Sequence, residues 1–147
     1  MMSGEFLGKF ENSVHKSRVI IPASFKKMFS DQAQKSVIVT VGAKGTVAIF
    51  PLDNWEMMKQ KLQNGSDLEK KLRSNLIYFA MPVQELEGPG RVRISEELLQ
   101  KAQITDSVII KGDGHYITLW NPDRLKEISQ QKQSEHDELF DADHYQL

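Results

Sequence analysis

The sequence predicts a mainly β fold with short helices, built as two similar units. Three observations predict it. First, the chain repeats itself: Phe10 to Pro22 is echoed by Val83 to Ser95, each a short alternating strand, a polar turn, an arginine opening the next strand and a helix start. Arg18 and Arg91 stand 73 residues apart, and downstream Phe50 matches Trp120 and Asp53 matches Asp123 at an offset of 70. Second, β-branched runs are short and separated by tight turns, the pattern of a small closed or sandwiched sheet rather than a parallel one. Third, a unit of roughly 70 residues lies near the lower limit for folding alone, so each must complete its core on its twin.

In the first unit Glu5 to Val14 alternates weakly and reads as a strand with one face to solvent. His15-Lys16-Ser17 is the turn, and Arg18 to Ile21 is a β-branched strand ended by Pro22, which has no N–H for a ladder. Proline suits a first helical turn, so Pro22 opens a helix carrying Phe25, Met28 and Phe29, closed by Ser30-Asp31-Gln32. Val37 to Val41 is the strongest strand signal of this half; Gly42 to Gly45 turns it back into Thr46 to Phe50. Pro51-Leu52-Asp53 starts a helix with Asp53 as its cap and Trp55, Met58 and Leu62 on one stripe. Ser66 with Glu69 has the capping-box spacing, and Leu68, Leu72 and Leu76 give the next helix a face.

The second unit replays this order. The expected elements are strand Tyr78 to Leu86, turn Gly88-Pro89-Gly90, strand Arg91 to Ile94 and helix Ser95 to Ala102. Strand Ser107 to Lys111, turn Gly112 to Gly114, strand Tyr116 to Trp120 and helix Pro122 to Ile128 follow. Ser95 is placed as an N-cap, with Glu96 and Glu97 in the favourable first turn. The units divide as 1–76 and 77–130; residues 131–147 have no apolar periodicity and read as an acidic, mobile tail. Phe25, Phe29, Trp55, Phe79, Leu98 and Trp120 are expected to build the cores and the seam between units.

The 147 residues carry a net charge of −1, but the average hides a gradient. Residues 1–75 hold twelve Lys/Arg against seven Asp/Glu, a net of +5; residues 76–147 hold seven against thirteen, a net of −6. Cysteine is absent, which removes disulfides and thiolate chemistry and fits a reducing cytosol. No apolar run reaches the roughly 18 residues of a membrane span, and the N-terminus lacks a signal pattern; a cytoplasmic protein is expected. The four histidines stand apart without ligand spacing, so no metal or cofactor is expected. No nucleophile, base and acid come together either, and two equivalent half-sites suit a symmetric partner better than a reaction centre, so the chain is not expected to be an enzyme.

Arg18 and Lys16 flank a turn with His15, and Lys9 lies on the strand before it. A guanidinium and an ammonium on one turn can contact adjacent phosphates, arginine can fork onto guanine, and a two-stranded ribbon fits the major groove. The alternative is a solvated turn lysine with Arg18 salt-bridged to an acid such as Glu11. Arg91 and Arg93 point to one face of their strand; they either contact nucleic acid or form a cross-strand ladder with Glu85 and Glu87.

Phe6-Leu7-Gly8-Lys9-Phe10-Glu11 followed by Arg18-Val19-Ile20-Ile21-Pro22-Ala23-Ser24-Phe25 closely resembles the opening of the MraZ family of bacterial transcriptional regulators. Glu87-Gly88-Pro89-Gly90-Arg91 and the ending Gly112 to Arg124 extend the resemblance over about residues 5–128. It implies a tandem swapped-hairpin, double-split β-barrel of AbrB-like type, whose modules each carry an acid and an arginine separated by three residues. In the second module Glu87 takes the acid position and supports Arg91; in the first, Val14 stands there and Ser17 replaces a glycine. The implied function is sequence-specific binding of double-stranded DNA at promoter direct repeats of division and cell-wall genes. The implied actor is a ring-shaped homo-oligomer associated with the nucleoid. Arg18, Lys16, Arg91, Arg93, Lys9 and His15 are the DNA-binding residues this implies. A protein-interaction scaffold without DNA binding and an AbrB-like antitoxin-type regulator are the competing readings.

Overall fold

The computed structural model describes residues 3–33 and 35–143. Among them, eight strands and five α-helices follow one another as two halves of four strands each: β1 (Lys9–Ser13), β2 (Arg18–Ile20), α1 (Ala23–Lys26), β3 (Ser36–Val41), β4 (Val47–Pro51), α2 (Leu52–Gln63) and α3 (Asp67–Phe79) in the first. The second comprises β5 (Gln84–Glu85), β6 (Arg91–Arg93), α4 (Glu96–Lys101), β7 (Ser107–Gly112), β8 (Ile117–Trp120) and α5 (Pro122–Asp143).

Neither half builds its own sheet. The first strand of each half leaves its own unit: β1 pairs with β7 and β5 with β3, both antiparallel. β4 pairs with β8, completing a six-stranded sheet of order β1-β7-β8-β4-β3-β5, while β2 and β6 form a separate ribbon. The ribbon meets the two edge strands of the sheet through side chains instead of a continuous ladder. Asn12 of β1 donates to the Ile20 carbonyl (3.2 Å), and the Gln84 amide of β5 brackets the Arg93 backbone with two bonds of 2.9 Å. These two seams are the splits of the tandem swapped-hairpin, AbrB-like fold that the repeat and the family resemblance imply.

The repeat's offsets reappear in the ladders. Val19 faces Val92 and Ala48 faces Thr118, which are separations of 73 and 70 residues, so a pseudo-two-fold axis passes through both pairs. One core lies between ribbon and sheet, drawing Val19, Ile21, Val92 and Ile94 from the ribbon side and Val37, Ile49, Ile110 and Leu119 from the sheet. Phe6 and Phe25 meet edge to face at 5.5 Å within it, and Phe29 packs against it from a half-buried position. Leu98 belongs to this core; Trp55 joins a second cluster with Ile38, Ala48 and Phe50 between the sheet and α2–α3.

Three expected elements differ in extent. The strand expected from Tyr78 is helical up to Phe79, because the Ser66–Glu69 capping box starts α3 and Leu76 packs the end of the helix against the Trp55 cluster, which overrides local strand propensity. Only Gln84 and Glu85 remain as strand, the length of chain that reaches β3. The first strand is interrupted at Gly8, which turns at φ 102°, with Phe6 held separately by a bridge to Gly114. The helix after Pro22 is a single turn, Ala23–Lys26.

In the region read as an acidic, mobile tail, residues 131–143 continue α5 as helix, with Gln133–Asp137, Lys132–Glu135 and the His136–Phe140 ring contact along its own surface. Leu125 anchors the base of α5, while residues 130–139 are exposed. His144, Tyr145 and Leu147 of the expected tail lie outside the described residues.

Asp53 is not a cap. It sits in the first turn of α2 and receives the backbone N–H and hydroxyl of Ser3, the Ser30 hydroxyl and the Asn54 N–H. Burial raises its pKa, but these donors outweigh burial and hold the carboxyl below its ordinary value of 3.8. Ser95 does cap α4, accepting from Leu98 N–H at 3.3 Å.

Candidate nucleic-acid interface

Each hairpin presents its arginine in the same way. In the first, His15 and Arg18 exchange both backbone hydrogen bonds (2.9 and 3.0 Å) across a two-residue loop. Lys16 (φ 50°) and Ser17 (φ 63°) both adopt the left-handed conformation, as a tight turn of this hand requires. In the second, Glu87 and Arg91 exchange the same bonds (3.1 and 2.8 Å) across three residues, with Gly88 and Gly90 at positive φ.

The acid position of the first module is therefore His15, not Val14. Val14 corresponds to Leu86: both are half-buried against the core, and each donates its N–H to the opposite unit, to the Asp106 and Lys35 carbonyls. The first loop is one residue shorter, which displaces an ungapped count by one. Ser17 does stand at the glycine position, since the carbonyls of Ser17 and Gly90 accept from Ile94 and Ile21 across the ribbon. Glu87 meets Arg91 through backbone; its carboxylate makes no ion pair with the guanidinium.

β2 and β6 place Arg18 opposite Arg93, Val19 opposite Val92 and Ile20 opposite Arg91. Because Val19 and Val92 are fully buried, alternation turns Arg18, Ile20, Arg91 and Arg93 to the other face. Three guanidinium groups thus share a ribbon only three residues long, with Ile20 (41% exposed) between them. Directly opposed like charges destabilise a sheet. Here no carboxylate relieves them, as no ion pair within 4 Å involves these arginines among the described residues. Neither the Arg18–Glu11 bridge nor the Arg91/Arg93 ladder with Glu85 and Glu87 forms.

The arginines are nevertheless positioned. The Arg18 guanidinium donates to the Lys16 carbonyl at 3.2 Å, and that of Arg91 lies over Gly88. Each turn is fastened by the other unit: Ser17 donates to Glu96 on α4 (2.5 Å), and Lys26 on α1 donates to the Pro89 carbonyl. Asn12 and Gln84, which tie the ribbon to the sheet edges, were not singled out in the sequence. Their signal is an amide at equivalent places of both repeats, two residues before Val14 and Leu86.

His15 and Lys16 are exposed on the first turn beside Arg18. Lys9 is not brought to this cluster. It lies at the far end of β1, opposite Lys111, six residues before His15 and about 20 Å away at strand rise. Among the described residues there is no group of three or more His, Asp or Glu able to hold a metal ion, and no helix is long and apolar enough to cross a membrane.

Comparison with known proteins places the chain. A family model described as "MraZ protein, putative antitoxin-like" matches residues 15–76. The protein named Transcriptional regulator MraZ of Chlorobium luteolum is 31% identical over 134 residues, covering 84% of this chain and 88% of its own length. Its namesake from Pediococcus pentosaceus is 28% identical over 137 residues, 91% of this chain and 93% of that protein. That of Chlorobium phaeobacteroides is 30% identical over 126 residues, with 82% and 85% covered. Identity of this level across both units, not one motif, shows that the chain belongs to the MraZ family.

Proposed function

We propose that this protein is a transcriptional regulator that binds double-stranded DNA through the outer face of the β2–β6 ribbon. The observation that carries the reading is the set of three arginines on one short ribbon face, Arg91 and Arg93 exposed and Arg18 half-buried, with no ion pair to an acid among the described residues. A two-stranded ribbon is narrow enough for the major groove. There Arg18, Arg91 and Arg93 serve phosphates or guanine edges, and Lys16 and His15 extend the contact onto the backbone from the first turn. Lys9 is a peripheral phosphate contact at most. Relatives that carry the name transcriptional regulator support the role.

A single chain offers few cations, so affinity for a specific site comes from several chains on one DNA. In this reading a homo-oligomer, ring-shaped as the family resemblance implies, meets short direct repeats at promoters of division and cell-wall genes. Its place is in the cytoplasm, on the nucleoid. Gel-shift titration of a duplex carrying such repeats tests it. Arg18→Ala should reduce binding sharply, and Lys16→Ala should reduce it evenly across sequences; unchanged affinity in both variants would overturn the reading.

A further inference from the structure

Of the four side chains that β2 and β6 turn outward, three are arginines and the fourth is Ile20, 41% exposed. The register sets Arg91 directly opposite it, Arg18 two residues back on its own strand and Arg93 on the diagonal. All three arginine stems therefore start within about 8 Å of it. Ile20 lies outside both core clusters, so packing does not account for it. Strand propensity does not either, since threonine would serve it as well and keep the face polar.

The repeat supplies an internal comparison. Ile20 and Arg93 are the same position of the two units, 73 residues apart. Both are clamped by an amide from the adjoining sheet edge: Asn12 donates to the Ile20 carbonyl at 3.2 Å, and Gln84 holds the Arg93 backbone through two bonds of 2.9 Å. One scaffold thus presents an apolar group from the first hairpin and a cation from the second. The pseudo-two-fold symmetry of the fold stops at its outer surface. Branching at Cβ restricts the Ile20 side chain to few rotamers, so it forms a stiff apolar knob among flexible guanidinium groups.

Resting on the DNA-binding reading, we propose that Ile20 is a specificity-determining residue that packs on the C5 methyl of a thymine. That methyl is the apolar group that bases display in the major groove, where arginine pairs with guanine O6 and N7. The neighbouring arginines hold the ribbon on guanines and phosphates, and Ile20 selects the thymine beside them. Arg93 offers no such contact from the matching place of the second hairpin, so each ribbon reads a site without two-fold symmetry.

The test uses the full-length protein and a duplex that it selects from a random pool, with each thymine replaced in turn by deoxyuridine. This exchange removes the methyl and keeps the base pair. At one position of each contacted site it should weaken wild-type binding about fourfold, the scale of one buried methyl. Ile20→Ala should bind the thymine and deoxyuridine duplexes equally at that position and keep wild-type affinity for random DNA, because the arginines remain. The wild-type measurement needs no variant and decides the question even if the substitution disturbs the ribbon. Absence of any methyl-sensitive thymine, methyl dependence that survives in Ile20→Ala, or a selected site with two-fold symmetry would overturn the proposal. Failure of the wild type to select any duplex would instead overturn the DNA-binding reading itself, and this inference with it.

Discussion

Val19 and Val92 face each other across the β2–β6 ladder, both wholly buried, and they are also the same position of the two repeats, 73 residues apart. The residue that starts the core of one unit is therefore completed by its own counterpart. This relationship makes the two halves one folding unit, because removing either repeat strips the ribbon of half its strands and leaves β1 or β5 unpaired.

The pair should be energetically equivalent and coupled. Val19→Ala and Val92→Ala should each lower stability by about 2 kcal/mol in urea unfolding, the scale for removing buried methyl groups. Because the two side chains lie together, the double variant should depart from the sum by at least about 0.5 kcal/mol. Strict additivity would separate the two halves energetically and contradict the interleaved core.

Left-handed backbone at Ser17 gives a second prediction. With φ at 63°, Ser17→Gly should stabilise the protein by about 0.5 kcal/mol, the relief of strain exceeding the loss of an exposed bond to Glu96. Ser17→Val should cost about 1–2 kcal/mol, since a β-branched side chain fits this conformation badly. Thermal unfolding of both variants checks the ordering.

The Asp53 anchor sets an acid dependence. A carboxyl held below 3.8 in the folded state contributes stability that is complete above its unfolded pKa and is lost as the pH falls through the folded value. Unfolding free energy should therefore decline below about pH 4, and Asp53→Asn should be less stable at neutral pH with a flatter acid limb. Matching acid limbs in the two proteins would remove Asp53 from the account.

The acidic arm of α5 supplies a fourth test. Residues 131–143 carry Glu135, Asp137, Glu138, Asp141 and Asp143 against Lys132 alone, and the exposure of Glu135, Asp137, Glu138 and Asp141 leaves them available to compete for the arginine ribbon. Truncation after Gln130 should raise affinity for random DNA about two- to threefold at low salt, an effect that vanishes as salt screens it. The melting temperature and the proposed oligomer should be unchanged. Unaltered affinity at low salt would make the arm inert, and a dissociated oligomer would make it an assembly element instead.

The repeat and its turns made most of this architecture legible in the chain, because alternation and turn chemistry are local signals. The offset between Arg18 and Arg91 anticipated the axis through Val19 and Val92. What sequence hid was mostly set by neighbours. Tyr78 and Phe79 favour strand locally but continue a helix already started by Ser66. The shortened first loop moved the acid position from Val14 to His15, which no ungapped comparison reveals. Asn12 and Gln84 looked like ordinary surface amides, since their role depends on ribbon edges that exist only after the hairpins have exchanged.

The central claim is that the ribbon's arginines meet DNA, and the salt dependence of binding tests it most directly. Log affinity against log salt should be measured for the wild type, for Arg18→Ala/Arg91→Ala/Arg93→Ala, and for the control Lys70→Ala/Lys71→Ala on α3. Each lost phosphate contact should flatten the slope by about 0.9, so the triple variant should lose affinity and up to about three such increments, while the control keeps the wild-type line. A triple variant that binds with unchanged affinity and slope would contradict the account.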